Sequence, residues 1–329
     1  MIYPKKLTEG SHIRVIAPSR SFNIISDNCR EIAIEQFRKL GIKVSYSKHA
    51  DEIDDFLSSS IQSRLDDLHE AFQDKSVDGI LTAIGGFNTN QLIDKIDYDL
   101  IKRNPKIICG YSDITCLTHA ITTKTGMVTY SGPHFSSFGM IKGFEYTLEY
   151  FKKCLMSDQP YQINPTPVYS DDMWFIDQEK RNFRPNENYY IINTVDKQKI
   201  SGRIVGGHVR CIASLQGTEF WPDLTNSVLF LEEDEEISPQ VFDRMLQSLI
   251  HQKDFKSVKA ILIGRFQDAT KMSKELLTQI IKTKEALKNI PVIANIDIGH
   301  TTPIITYPIG GKIDIDLTDS KPVVTIDKH

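Results

Sequence analysis

No stretch of this 329-residue chain is apolar for long enough to span a bilayer, and residues 1–19 (MIYPKKLTEGSHIRVIAPS) lack the continuous apolar run of a secretory signal. Both absences point to a cytoplasmic protein with no membrane partner. The five cysteines (Cys29, Cys109, Cys116, Cys154 and Cys211) are odd in number, scattered and without a CxxC pair. That pattern excludes an evident disulfide framework and fits reduced, mostly buried thiols. A nucleophilic Cys109 or Cys116 is less in keeping with it than a small packed hydrophobe. An excess of one charge is missing too: 39 Lys and Arg against 43 Asp and Glu leave a net −4, with no electrostatic reason to expect nucleic acid. Neither G-x-G-x-x-G nor G-x-x-x-x-G-K-[ST] occurs, so a Rossmann oxidoreductase or a P-loop enzyme loses its main support. There is no H-E-x-x-H, and no histidine or carboxylate pair has recognisable metal-ligand spacing, so neither a metal nor an organic cofactor is expected. Internal repeats and low-complexity segments are also absent.

What remains is the composition of a soluble globular protein, 40% hydrophobic and 25% charged, with a length that suits two domains. The first half alternates short apolar runs (13–17, 42–46, 79–83, 106–109) with helix-length segments, which implies a mostly parallel sheet flanked by helices. A helix opens near Asn28 with Glu31 as capping-box partner, carries Cys29, Ala33, Phe37 and Leu40 on one face, and stops at Gly41. Periodicity fails over residues 159–198, where prolines, Asn and Asp surround Trp174; this reads as a connecting loop. Strand patterns resume at 199–205, 227–232, 258–263 and 292–296. Helices open at Ser238-Pro239 and near 274–287. The tail, 312–317 and 322–327, alternates around Asp319-Ser320 like a hairpin. The expected organisation is an N-terminal α/β domain over 1–158, a connection over 159–198 and a C-terminal mixed-sheet α/β domain over 199–329, with the site in the cleft between the domains.

Residues 106–126 (KIICGYSDITCLTHAITTKTG) place Ser112 on a tight turn between an apolar strand and a helix. Such a turn exposes a hydroxyl and aims the first helical amides at its neighbour, the Asp113 N–H among them. Ile114 replaces the second glycine of G-x-S-x-G, and a serine before a helix is ordinarily just a cap. Gly85-Gly86-Phe87-Asn88 ends another strand, where Gly86 can offer an amide to a substrate oxygen, although a turn glycine is the commoner role. Glu232 continues the buried strand SVLFLE, where an unpaired carboxylate is costly and a histidine partner would relieve the cost. Most of the acids after it, Glu233 to Glu236, read as a solvated turn. His300 follows a strand on a loop bounded by Gly299 and Pro303, and histidine is the residue type suited to general-base work near neutrality. His119, His134 and His208 are its rivals. His119 reads as packing inside its helix, whereas His134 and His208 adjoin glycine turns and could line a cleft.

Taken in order, IRVIAPS, AIGGFNTNQLIDKIDYDLI, NPKIICGYSDIT, SGPHFSSFG, GRIVGGHVRCIASLQGTEFWPDL, LFLEEDEE, DRMLQSL and GHTTPIITYPIGG resemble the LD-carboxypeptidases, the serine peptidase family that includes the microcin C self-immunity peptidases. The blocks run from Ile13 to Gly311. The resemblance implies Ser112 as nucleophile, Glu232 as acid, His300 as base, and the Gly86 and Asp113 amides as oxyanion donors. It also implies a homodimer. GGFNTNQ stands where muropeptide-recycling members have a shorter GGYG-type turn, and a long loop carries Trp174. These features, with one extra acidic residue before Asp243-Arg244, are closer to the microcin immunity branch, in which an aromatic side chain of this loop stacks on the substrate's nucleotide. Trp174, Asn88 and His134 are the expected substrate contacts, with Trp174 equally suited to anchoring its own loop. The expected substrate is a small peptide or a peptidyl nucleotide. The alternatives are a carboxypeptidase releasing D-alanine from muropeptides and a two-domain ligand-binding protein without chemistry.

Overall fold

The computed structural model describes residues 1–193, 198–319 and 321–329. Strands β1 (His12–Ile16), β2 (Lys43–Tyr46), β3 (Gly79–Thr82), β4 (Ile107–Cys109) and β5 (Thr129–Ser131) alternate with helices α1 (Asp27–Lys39), α2 (Ile61–Gln73), α3 (Tyr98–Arg103) and α4 (Ile114–Thr125). After α5 (Glu145–Leu155) come four short strands: β6 (Tyr161–Gln162), β7 (Val168–Tyr169), β8 (Arg184–Pro185) and β9 (Tyr190–Asn193). The remainder is β10 (Lys199–His208), α6 (Val209–Ala213), β11 (Ser227–Glu232), α7 (Pro239–Ile250), β12 (Ala260–Gly264), α8 (Lys274–Lys282), β13 (Val292–Ile296), β14 (Tyr307–Ile309), β15 (Lys312–Asp316) and β16 (Val323–Lys328).

Two sheets result. The first has the order β14-β5-β4-β3-β1-β2, with β1 to β5 parallel and β14 antiparallel to β5. The second, β6-β16-β15-β10-β11-β12-β13-β9, has a parallel centre from β10 to β13 and antiparallel strands on both flanks. Strands β3, β11 and β12 are buried along their whole length, as strands covered on both faces must be, and so they read as continuous apolar runs. The fold is therefore two-domain α/β, with one mostly parallel and one mixed sheet.

Several boundaries differ from the sequence expectation. The cap of α1 is Ser26, whose hydroxyl accepts the Cys29 amide at 3.3 Å, so the helix begins two residues before the Asn28–Glu31 box. The helix expected near 274–287 stops at Lys282 and is followed by a separate single turn, Glu285–Leu287. The segment 159–198 is more than a connection, because β6 and β9 close the two edges of the second sheet. Strands of two to four residues are too short to show a period, which is why composition alone marked this stretch. Residues 194–197 of it, and Ser320 in the tail hairpin, lie outside the described residues. Strand β14 returns to the first sheet across the expected boundary, and its three residues around Pro308 likewise carry no alternation to announce it. Among the described residues, no helix is long and apolar enough to cross a membrane.

Candidate active site

The C-terminal ends of β3, β4, β10, β11 and β13 converge, and each delivers one part of the site. From β4 the chain turns through Gly110 and Tyr111 into Ser112, which adopts φ +62° before α4 starts. A side chain in this left-handed region costs about 1–2 kcal/mol and persists only where packing enforces it. The Ser112 hydroxyl does not cap the helix. It lies 3.0 Å from His300 Nε2. The capping position belongs to Asp113, whose carboxylate instead accepts the Ser19 hydroxyl at 2.5 Å and the Thr89 amide at 3.0 Å. Those bonds fasten the turn to the loops after β1 and β3.

Glu232 is the last residue of β11 and is buried; its Oε2 accepts from His300 Nδ1 at 2.9 Å. Burial works against its charge, but the imidazoles of His300 and His208 outweigh that and hold the carboxyl below its ordinary range. An ionised Glu232 fixes Nδ1–H as the donor, leaving the Nε2 lone pair to accept from Ser112. Gly299 lets the two groups meet. At φ +99°, any side chain there would put its Cβ 2.9 Å from Glu232 Oε2.

The loop bearing His300 is held by the long segment before β10. Ser170 and Thr302 exchange backbone hydrogen bonds of 2.8 and 2.7 Å. The wholly buried Asp297 pairs with Arg265 at 2.5 Å and also accepts the Thr166 amide at 2.9 Å and the Tyr189 hydroxyl at 3.1 Å. Trp174, partly buried, lines a narrow cavity of about 30 Å³ together with Tyr111 and His300. It packs against the hydrophobic core and meets the Phe175 ring edge-on at 6.0 Å.

A second cavity, of about 190 Å³, opens on the other side of Ser112 and is lined by Gly86, Asp113, Asn90, His208, Arg210 and Asp234 among others. Neither the Gly86 nor the Asp113 amide donates a hydrogen bond to another group among the described residues. Gly86 is required by crowding: a Cβ there would meet the Ser19 hydroxyl at 2.3 Å. Asn88 faces elsewhere. Its side-chain oxygen accepts from Arg64 at 3.0 Å, and the residue lines an adjacent cavity, while Asn90 takes the place by Ser112.

The rival histidines are engaged otherwise. His119 is buried and donates from Nε2 to the Gly206 carbonyl at 2.9 Å; burial lowers its pKa to about 4. His134 stacks on Tyr111 at 4.4 Å and is bonded to Thr82 at 2.7 Å, and burial, with a lesser push from His300, takes its pKa to about 3. It is a neutral, buried group behind Ser112 and makes no hydrogen bond to it. His208, at the end of β10, sits 3.2 Å from Glu233 and 3.3 Å from Asp234. Burial opposes its charge, but Asp234, Glu232 and Glu233 prevail and raise its pKa to about 9. Its ring lies 5.5 Å from that of His300. The acidic run is thus only partly a solvated turn: Glu233 is buried with Arg210 at 3.0 Å, and Asp234 serves His208 and Arg210. Donor atoms of His208, Asp234 and His300 come within 4.8 Å of one another, and the His208–Asp234 ion pair accounts for that convergence. The sequence signal for His208 was its place after Gly206-Gly207 at a strand end. Nothing in the acidic run marked Glu233 and Asp234 as its partners.

Comparison with known proteins agrees with this architecture. Residues 13–132 match the LD-carboxypeptidase N-terminal domain and residues 201–315 the LD-carboxypeptidase C-terminal domain. The chain is 48% identical to YocD of Bacillus subtilis (strain 168), a protein named as a candidate carboxypeptidase, over 100% of both chains. It is 29% identical to the microcin C7 self-immunity protein MccF of Escherichia coli, over 97% of this chain and 94% of that one. The crystal structure of an MccF-like protein from Bacillus anthracis superposes with a TM-score of 0.97 at 49% identity, covering 100% of each chain. The chain belongs to the LD-carboxypeptidase family, peptidase S66, and is a serine carboxypeptidase of that family.

Proposed function

We propose that Ser112, His300 and Glu232 are the nucleophile, base and acid of an amide hydrolase whose preferred substrate is an aminoacyl or peptidyl nucleotide, as in microcin self-immunity. The observation that carries the triad is the continuous chain Glu232–His300–Ser112, bonded at 2.9 and 3.0 Å, with the serine at a helix N-terminus beside two unused amides. His300 takes the Ser112 proton as Oγ attacks the carbonyl. The oxyanion develops toward the Gly86 and Asp113 amides, His300 returns the proton to the leaving amine, and water reverses the sequence. A single oxyanion donor in such a site contributes roughly 100-fold or more in rate.

The substrate reading rests on Trp174 lining the same narrow cavity as His300; at about 30 Å³ that cavity is too small for a nucleobase, so the base would stack on the indole at the cavity's mouth. MccF, 28% identical with a TM-score of 0.87, has been solved in complex with glutamyl sulfamoyl guanosine. A second reading, muropeptide carboxypeptidase, is favoured by the charged wall of Arg210, Asp234 and Glu236 in the larger cavity, which suits the polar ends of a short peptide. Mass spectrometry of products from an aminoacyl sulfamoyl nucleotide and a murein tetrapeptide, with Ser112→Ala as blank, separates the two. Trp174→Ala should lower kcat/KM about tenfold to a hundredfold on the nucleotide substrate and leave a simple peptide amide nearly unchanged. Equal loss on both would make Trp174 a loop anchor. Faster turnover of the tetrapeptide by the wild type would establish the second reading.

A further inference from the structure

Beside the Ser112 cavity, across Phe87, lies another of about 260 Å³, lined by Arg20, Asp54, Phe56, Ser60, Arg64 and Gln91 among others. Phe87 belongs to both cavities and is 65% exposed. Arg20 lays its guanidinium 4.6 Å from the Phe87 ring centre, and no ion pair to it is found among the described residues. Its Nε is buried without a hydrogen-bond partner. Arg64 is buried and likewise has no carboxylate partner among the described residues. It donates to Asn88, Gln91 and the Pro18 carbonyl, all neutral acceptors, and its Nε is also unpartnered. Helix α2 begins at this cavity, with Ser60 as cap and no acid of its own in the first turn. Asp54 supplies the one carboxylate among the lining residues, and its Oδ1 already accepts the Phe56 and Ser58 amides at 2.9 Å. Asp54 and Asp113 act on Arg64 from a distance, which leaves Arg20 as the cation at this cavity with no carboxylate paired to it among the described residues. One uncompensated guanidinium suits a single carboxylate.

We infer that this cavity is an anion subsite that receives a carboxylate of the substrate, with the Arg20 guanidinium as its principal ligand. The subsite rests on the reading of Ser112 as the reacting centre, since Phe87 and Gly86 are what join the two cavities. Arg20 is suited to the role because its stem is held against Gly86, where an added Cβ would meet Arg20 Cγ at 2.9 Å. Stacking on Phe87 further restricts the planar fork, so little freedom is lost on binding.

The test uses two peptide sets on a trialanine scaffold, with Glu or Gln placed in turn at each position. Calorimetric affinities are measured on full-length Ser112→Ala protein, which removes turnover from the readout. At one position Glu should bind at least about tenfold tighter than Gln, the worth of one charge-assisted pair. Adding Arg20→Gln should abolish that preference and leave the Gln peptide within about twofold. Arg20→Lys, which keeps charge and bulk should the first variant fail to fold, should reduce the preference without abolishing it. A Glu preference at no position, or one indifferent to Arg20, overturns the subsite. Hydrolysis by the wild-type enzyme is followed separately. Failure to cleave any peptide would count against the peptidase reading, while the Glu-to-Gln affinity ratio still decides the subsite alone.

Discussion

In the triad proposed, Ser112, His300 and Glu232 act on one another in series, so each should be nearly as costly to lose as the whole set. Alanine at any of the three is expected to lower kcat/KM by roughly ten-thousandfold or more, and double variants should be little worse than single ones. Steady-state kinetics on folded variants checks this, and near wild-type turnover would remove that residue from the triad. As candidates these residues were legible from their places at strand ends: Glu232 closes the buried β11, and Ser112 and His300 lie on the turns that follow β4 and β13. His208 was legible only as a possible wall of the cleft. Its partnership depends on the β10–β11 register, which sets it opposite Glu232 and within reach of Asp234, and pairing register is not written in local sequence. As a positioning residue, His208→Asn should lower kcat about tenfold with little change in KM, because the cation that steadies Glu232 is lost but the triad atoms remain. A rise in KM with kcat unchanged would instead place His208 in substrate binding.

At the level of elements, the site is a set of loops clamped from behind. The turn that carries His300 depends on Gly299, whose φ of +99° and 2.9 Å clearance to Glu232 leave no room for a side chain. Gly299→Ala should therefore cost about 1–3 kcal/mol in stability and at least about a hundredfold in kcat/KM, read by denaturant melts and kinetics. Unchanged kinetics would show that the loop re-forms without this geometry. The buried Arg265–Asp297 pair anchors the same loop to the segment before β10. Breaking it with Asp297→Ala strands the guanidinium and should destabilise the protein by about 3–5 kcal/mol. That segment's composition announced a loop, and a loop bonded to the His300 turn at Thr302 and Asp297 is what it supplies, but its short strands lie below the length at which alternation can be seen.

For the molecule as a whole, two parallel arrays aim their C-terminal strand ends at one place, as open α/β sheets do around a ligand. The interface is fastened beside the site by His119 to Gly206 at 2.9 Å and by the His208 amide to Thr115 Oγ1 at 3.2 Å. Sheet class was legible because buried parallel strands are apolar throughout. The crossing of β14 back to the first sheet was not, since three residues carry no topological signal. Titration couples this core to pH. His208 is raised from 6.5 to about 9, so its contribution is complete below pH 6.5 and is lost as pH climbs through 9. Glu232 and Asp234 are depressed, so their contributions are present above their ordinary range and lost as pH falls through the depressed values. Melting temperature should decline from pH 6.5 to 9.5, and His208→Asn should flatten that decline. A parallel decline in the variant would assign the alkaline loss to another group.

The most direct measurement of the central claim is intact-mass and peptide mapping after exposure to a fluorophosphonate serine probe. The account predicts one adduct per chain, on Ser112, absent in Ser112→Ala and slowed at least about a thousandfold in His300→Ala, which lacks the base that activates the hydroxyl. An adduct on another residue, no adduct on the folded wild type, or equal labelling with and without His300 would contradict it.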